Sequence, residues 1–395
     1  MSRLSFSHPA IRAAFITFLL VLPLATGWNL AVAPYRANLK IKLGPQLAGV
    51  TRLQPLEWNW SSLADGKLQK AITDRIIQAL PIHPLLVRLN NQLRFTLFGL
   101  TGPGIARGTN GQLLEQVYLD DYCSRTESLA ATRAAAVLPH LEALKKHYRS
   151  RGAVFLYLVT PSKIAHMPEY FVNDIPCLST PDARTQFVSR YVALLKQAGI
   201  DVLDLASFTH ALKGAYEIEL FPATGVHWNE IGGAQAATMI AEAINRQAGR
   251  LLVPPFTFTY KISSTASAVD REVADLLNIF FPPRIYQTPK VTFQPATECA
   301  SSPARTINAV MVGSSFSHLP AEILIRANCL ATLNMYFYLK LGRFGGEPYH
   351  YLAPTLKDED TARLRDATIM ITEENEFFIG AGGYIEALRN LIGAN

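Results

Sequence analysis

Two short motifs hold residue types that together can move an acyl group. Gly313-Ser-Ser-Phe316 places Ser315 on a small-residue turn directly after the apolar run 309–312. A hydroxyl on such a turn stays accessible, and its own backbone N–H faces the point where an oxyanion would develop. Serine is a weak nucleophile until a base accepts its proton, and His227, in Thr224-Gly-Val-His-Trp-Asn229, is the candidate base. Ser314, Gly342 and Gly345 of the glycine-rich run 342–346, Asn375 and Lys163 are candidate oxyanion or substrate contacts. Taken singly, each has an ordinary reading: a turn serine, a core histidine, a strand-end lysine, an asparagine in a solvated loop beside Glu373, Glu374 and Glu376. A strand ahead of Ser315 and a histidine in reach favour the chemical reading.

The elements that must position these residues read as alternating helices and strands. Apolar runs at 153–159, 200–205, 309–312, 331–339 and 367–372 are bounded by turn residues, as buried parallel strands are. Helical patterns at 129–147, 183–197 and 232–246 fall between them. Such alternation predicts an α/β fold: a doubly wound parallel sheet of about five strands, covered on both faces, with functional groups at the carboxyl ends of its strands. The candidate residues lie just past the predicted strand ends. Residues 247–305 are rich in Pro, Ser and Thr with a short helix near 269–280, and read as a long insertion across the surface. An amphipathic helix is expected over 63–80.

The motifs in this order resemble the SGNH hydrolase-like proteins, and among them the alginate O-acetyltransferase family of exopolysaccharide acetylation systems. The ordinary SGNH order runs serine, glycine, asparagine, then Asp-x-x-His. Here the histidine comes first and Ser315 and Asn375 follow, the circularly permuted order of the alginate-type group. Gly108-Thr-Asn-Gly111, Asp121-Tyr-Cys123, Pro161-Ser-Lys163 and the His227-Trp228 pair add to the likeness, which spans roughly residues 50–390. The resemblance implies a flavodoxin-like fold, Ser315 as the nucleophile of a Gly-(Asp/Ser/Thr)-Ser-(Phe/Tyr) motif, and His227 as the base of an Asp-x-His-Trp motif. The family aspartate falls on Gly225, which has no carboxylate. Three accounts are open: a Ser–His dyad helped by a backbone carbonyl, a carboxylate from elsewhere such as Glu217 or Glu219, or a domain that binds without catalysing.

The segment 13–34 carries no charge and is long enough to cross a ~30 Å hydrocarbon core. Arg3 and Arg12 precede it, which predicts a cytoplasmic N-terminus and an exported remainder. Ala31-Val-Ala33 has the form of a cleavage site, but Pro34 hinders a peptidase, so the segment reads as an uncleaved anchor. The expected organisation is an anchor over 1–35, a helical extension over 36–125 packing on the core, and the α/β domain over 126–395. The 37 basic residues are scattered, which argues against nucleic acid as a partner. Cys123, Cys177, Cys299 and Cys329 have no metal-ligand spacing, and no metal or cofactor is expected; three disulfide pairings are open. The expectation is a periplasmic O-acetyltransferase on the bacterial inner membrane, modifying polysaccharide hydroxyls. The resemblance adds a membrane-bound O-acyltransferase as acetyl donor. A carbohydrate esterase and a noncatalytic scaffold or carbohydrate-binding subunit are the alternatives.

Overall fold

A computed structural model of the chain describes residues 9–32, 35–50, 53–172, 176–283, 286–295, 307–327, 330, 332–345, 349–352 and 355–394. Arg3, Ala33, Pro34, Cys299, Cys329 and Gly346 lie outside the described residues. The strands are β1 (Ile105–Arg107), β2 (Leu113–Glu115), β3 (Val154–Thr160), β4 (Val202–Asp204), β5 (Phe256–Ser263), β6 (Thr288–Pro295), β7 (Ala309–Gly313), β8 (Asn334–Phe337), β9 (Leu341–Phe344), β10 (His350–Tyr351) and β11 (Ile369–Asn375).

β3, β7 and β11 are buried along their whole length. Runs with no polar face can sit only where both sides are covered, and these three are neighbours at the centre of the main sheet, whose order is β10-β9-β8-β7-β11-β3-β4. β8, β7, β11, β3 and β4 are parallel, the five strands expected from the sequence. β9 and β10 extend the sheet as an antiparallel edge. The long apolar run at 331–339 ends early because Tyr338 and Leu339 adopt left-handed φ of 51° and 53° and reverse the chain. β11, last in the chain, lies between β3 and β7, from which the earlier connections run outward in opposite directions. That is a topological switch point, and it opens a crevice at the carboxyl ends.

Helices Glu127–Arg149, Phe187–Gln197 and Tyr384–Ile392 share one core with Phe155, Tyr157 and Val159. The alternate residues Leu156 and Leu158 are equally buried on the opposite face, so the sheet is covered on both sides. Helix Glu230–Ala248 packs closely on helix His318–Ala327, since a Cβ at Gly233 would meet Leu319 Cγ at 2.6 Å.

The chain divides into two compact units, residues 1–103 with 274–282, and residues 104–273 with 283–395. The division at 103/104 differs from the boundary near 125 expected from sequence. The β1–β2 hairpin and helix Gln116–Ser124 group with the sheet, where a Cys123–Cys177 disulfide ties that helix to the loop before residue 180. The stretch 247–305 is more than a connection: β5 and β6 pair along eight residues each, and helix Ala268–Leu276 lies between them. In the first unit, helix Pro9–Val32 runs unbroken through Pro23, and Ile11–Val32 is long and apolar enough to cross a membrane.

Candidate active site

The loop before helix Glu230–Ala248 is held from several sides. Asn229 caps the helix by accepting from the amides of Ile231 and Gly232, while its Nδ2 donates to Glu219 O at 2.9 Å. Lys163, fully buried, donates from Nζ to Leu113, Pro222, Ala223 and Gly225 carbonyls at 2.7–3.0 Å. Burial pushes its ammonium well below the usual lysine range, yet four carbonyl dipoles converge on it. Lys163 therefore pins the 222–225 turn from behind and has no access to a substrate. His227 projects from a loop rather than from a strand end, and its ring packs 4.5 Å, centroid to centroid, from Phe316.

A carboxylate does stand behind His227. Glu272, on helix Ala268–Leu276, accepts from His227 Nδ1 at 2.8 Å, and its Oε2 lies 3.3 Å and 3.4 Å from the amides of Val226 and His227. An ionised carboxylate can only accept, so Nδ1 carries a hydrogen, and in the neutral imidazole Nε2 then keeps its lone pair. Nε2 is buried and has no hydrogen-bond partner among the described residues. The space a motif aspartate would need is filled: a Cβ at Gly225 would come within 1.9 Å of the Val269 carbonyl oxygen. The helix that excludes a side chain at 225 thus delivers the carboxylate from the other direction. Glu217 and Glu219, the carboxylates suggested by the sequence, are both exposed, and Glu272 holds the Nδ1 position instead. A second acidic group, Glu115 at the end of β2, is half-buried near this pair; burial raises its carboxyl, His227 pulls it down and Glu272 pushes it up.

Ser315 follows β7 on a short 3-10 turn capped by Ser314, whose hydroxyl accepts from the Phe316 amide. Ser315, half-buried, lines a cavity of about 270 Å³ together with His227, Glu272, Trp228, Phe337 and Tyr349. The lining also includes His318, which accepts from Arg343 Nη1 at 2.7 Å. Burial and the Arg343 charge lower its pKa, so its lone pair is engaged and it is no rival to His227 as base.

The other sequence candidates are drawn into structural duties. Ser314 is fully buried, and both its amide and its hydroxyl donate to Glu373, at 2.6 and 3.0 Å. Asn375 is fully buried, with Nδ2 donating to Pro161 O at 2.7 Å and Oδ1 accepting from the Phe377 amide. Gly342 lies within β9 paired with His350, and Gly345, bonded to Leu333, lies at the end of β9 remote from the Ser315 turn. None of these offers a free donor beside Ser315. Tyr338 lies beside this turn: hydrogen bonding from Ser315 and Ser314 to its phenolic oxygen acts to lower its pKa, but burial and the Glu373 charge outweigh it and the pKa is raised. No spacing pattern announces Tyr338, since only the early reversal after β8 brings it to Gly313, whose carbonyl accepts from the Tyr338 amide at 2.9 Å. Glu272 left a trace in the sequence, a helical segment bearing a glutamate inside the insertion, but nothing local ties it to a histidine 45 residues earlier.

An imidazole with a carboxylate on Nδ1 and a free Nε2, opening on the same cavity as a turn serine, can carry out acyl transfer. Residues 117–324, a little over half of the chain, match the family described as "SGNH hydrolase-like domain, acetyltransferase AlgX". Among curated proteins the chain is 25% identical over 189 residues to a probable alginate O-acetylase AlgJ of Pseudomonas putida, covering 47% of this chain and 46% of that protein. It is 22% identical over 180 residues to the corresponding protein of Azotobacter vinelandii, covering 46% and 44%. The chain thus spans about half the length of the curated relatives it matches. Among solved structures, the O-acetyltransferase domain of Pseudomonas putida AlgJ matches at TM-score 0.48 and 17% identity over 73% of this chain and 99% of that one. AlgX of Pseudomonas aeruginosa matches at TM-score 0.48 and 14% identity, over 74% and 67%. By the match over residues 117–324, with the permuted motif order and the sheet that carries it, the chain belongs to the SGNH hydrolase-like family of AlgX-type acetyltransferase domains.

Proposed function

We propose that this protein is an O-acetyltransferase of exopolysaccharide modification, working at the outer face of a bacterial inner membrane through Ser315, His227 and Glu272. The observation that carries the reading is the Glu272 carboxylate on His227 Nδ1, with Nε2 unpartnered among the described residues and His227 lining the same cavity as Ser315. His227 Nε2 takes the Ser315 proton as Oγ attacks the acetyl carbonyl; the donor group leaves with that proton, and Ser315 holds the acetyl ester. A sugar hydroxyl then gives its proton to Nε2, attacks the ester and departs acetylated, while Ser315 recovers its hydrogen. Glu272 offsets the charge on the imidazolium in both halves, and the Tyr338 hydroxyl beside the Ser315 turn is the candidate donor to the developing oxyanion.

The proteins named as alginate O-acetylases support a polysaccharide acceptor. The apolar helix Ile11–Val32 and the Cys123–Cys177 disulfide support an anchored protein facing an oxidising compartment. An acetyl donor in that compartment calls for a membrane-bound O-acyltransferase that passes acetyl groups outward. Replacing Ser315 with Ala should abolish acetylation of the secreted polymer at unchanged protein level; unaltered acetyl content would overturn the assignment. With a chromogenic acetyl ester, product formation should depend on an added oligosaccharide, and acceptor-independent release as the main outcome would make the protein an esterase instead.

A further inference from the structure

Helix His83–Phe98 is built inside out. Arg88, Asn91 and Gln92 are turned toward the rest of its own unit: Arg88 donates to Ile279 O and Gln46 O, Asn91 donates to Leu277 O, and Gln92 Oε1 accepts from the amides of Phe280 and Phe281. Four of its leucines are turned away. Leu86, Leu89, Leu93 and Leu97 are 49%, 51%, 50% and 66% exposed, and at about 100° per residue they fall in one row along the helix. Phe98 and Phe281 of the same unit are 71% and 75% exposed as well. A water-facing helix normally shows the reverse arrangement, and four leucines in line amount to an apolar strip that water does not favour.

What covers the strip is indicated by the chain leading to it. The end of the apolar helix is fastened to this unit: Asn29, fully buried, donates to Ile41 O at 2.8 Å and Ala79 O at 2.7 Å, and its Oδ1 accepts from the Ile41 amide. Trp28 Nε1 donates to Leu39 O close by. From Ala79, four residues reach His83, at most about 14 Å of chain, so the leucine helix begins next to the end of the span. It contains Arg88 and Arg94 and no acidic residue, the composition of helices that lie in a headgroup layer. Trp58 and Trp60, of the same unit, are 74% and 86% exposed, and tryptophan concentrates at membrane interfaces.

We propose that helix His83–Phe98 is a second membrane contact, lying in the outer leaflet with Leu86, Leu89, Leu93 and Leu97 immersed among the acyl chains. This rests on the reading of Ile11–Val32 as a membrane span. The helix holds the anchored unit flat on the bilayer instead of letting it swing from a single span, and the exposed Arg94 favours anionic lipid.

The test uses the full chain reconstituted in vesicles of phosphatidylcholine and phosphatidylglycerol, with the photoreactive residue benzoylphenylalanine replacing Leu20 in the span, Leu93 in the row, or the fully exposed Leu178 of the other unit. Position 93 should give lipid adducts within about twofold of position 20 and about tenfold above position 178. Adducts at 20 but not at 93, or a crosslink from 93 to a second protein chain, would overturn the proposal while leaving the span intact. Absence of lipid adducts at both 20 and 93 would overturn the span and this inference together. Leu93 is half exposed, so its replacement leaves the fold in place, which the circular dichroism of each variant checks.

Discussion

Glu272 and Gly225 are two sides of one substitution. The family motif supplies its carboxylate two residues before the histidine, whereas here that position is a glycine crowded by the Val269 carbonyl, and the carboxylate arrives on the helix that does the crowding. Glu272→Gln keeps a side-chain acceptor for Nδ1 but loses the charge that balances an imidazolium. It should lower kcat by about 10²- to 10⁴-fold with little change in KM, measured with an acetyl ester and an oligosaccharide acceptor. A dyad that needs no carboxylate would show less than a few-fold loss. Gly225→Asp restores the motif on paper yet places a side chain where a backbone oxygen already stands. It should lower the melting temperature, by an amount corresponding to about 2 kcal/mol or more, and reduce activity rather than raise it. A stable, fully active Gly225→Asp protein would show that helix Ala268–Leu276 gives way easily.

The carboxyl ends of β3 and β11 form a buried polar seam. Glu376 accepts from the Ser162 amide and hydroxyl, from His210 Nε2 and from Arg125, which Asp121 also pairs. Burial, the largest single influence on Glu376, acts to raise its pKa, but the charges of His210 and Arg125 with the hydrogen bonds from His210 and Ser162 outweigh it, and the pKa falls to about 2. A carboxyl depressed in the fold and ordinary in the unfolded chain contributes stability that is complete above about 4.5 and is lost as pH falls toward 2. The contribution is on the order of 3 kcal/mol. Urea unfolding between pH 6 and pH 3 should show a steep acid loss in the native protein. The Glu376→Gln variant should be less stable at pH 6 and flatter below pH 5; equal slopes in the two proteins would rule out this seam as the source of acid sensitivity.

Two units of different character make up the molecule, and the disulfide lies wholly within the one that carries Ser315. Cys123 and Cys177 are 54 residues apart, so closing that loop limits the unfolded chain by about 4 kcal/mol. Reduction with a thiol should lower the melting temperature of the α/β unit, followed by near-ultraviolet circular dichroism, and an unchanged transition would mean the bridge adds nothing. Much at this scale was legible from the chain alone. The apolar runs at 153–159, 309–312 and 367–372 are satisfied by central parallel strands, the uncharged segment before residue 35 forms a helix long and apolar enough to cross a membrane, and the Gly-Ser-Ser turn follows a strand, because each of these depends on neighbours in sequence. The carboxylate for His227, the burial of Lys163 and Asn375, the approach of Tyr338 to Ser315 and the pairing of the cysteines depend on which distant segments meet. β11 entering the sheet between β3 and β7, and the insertion helix closing over residue 225, decided those meetings, and no local spacing encodes them.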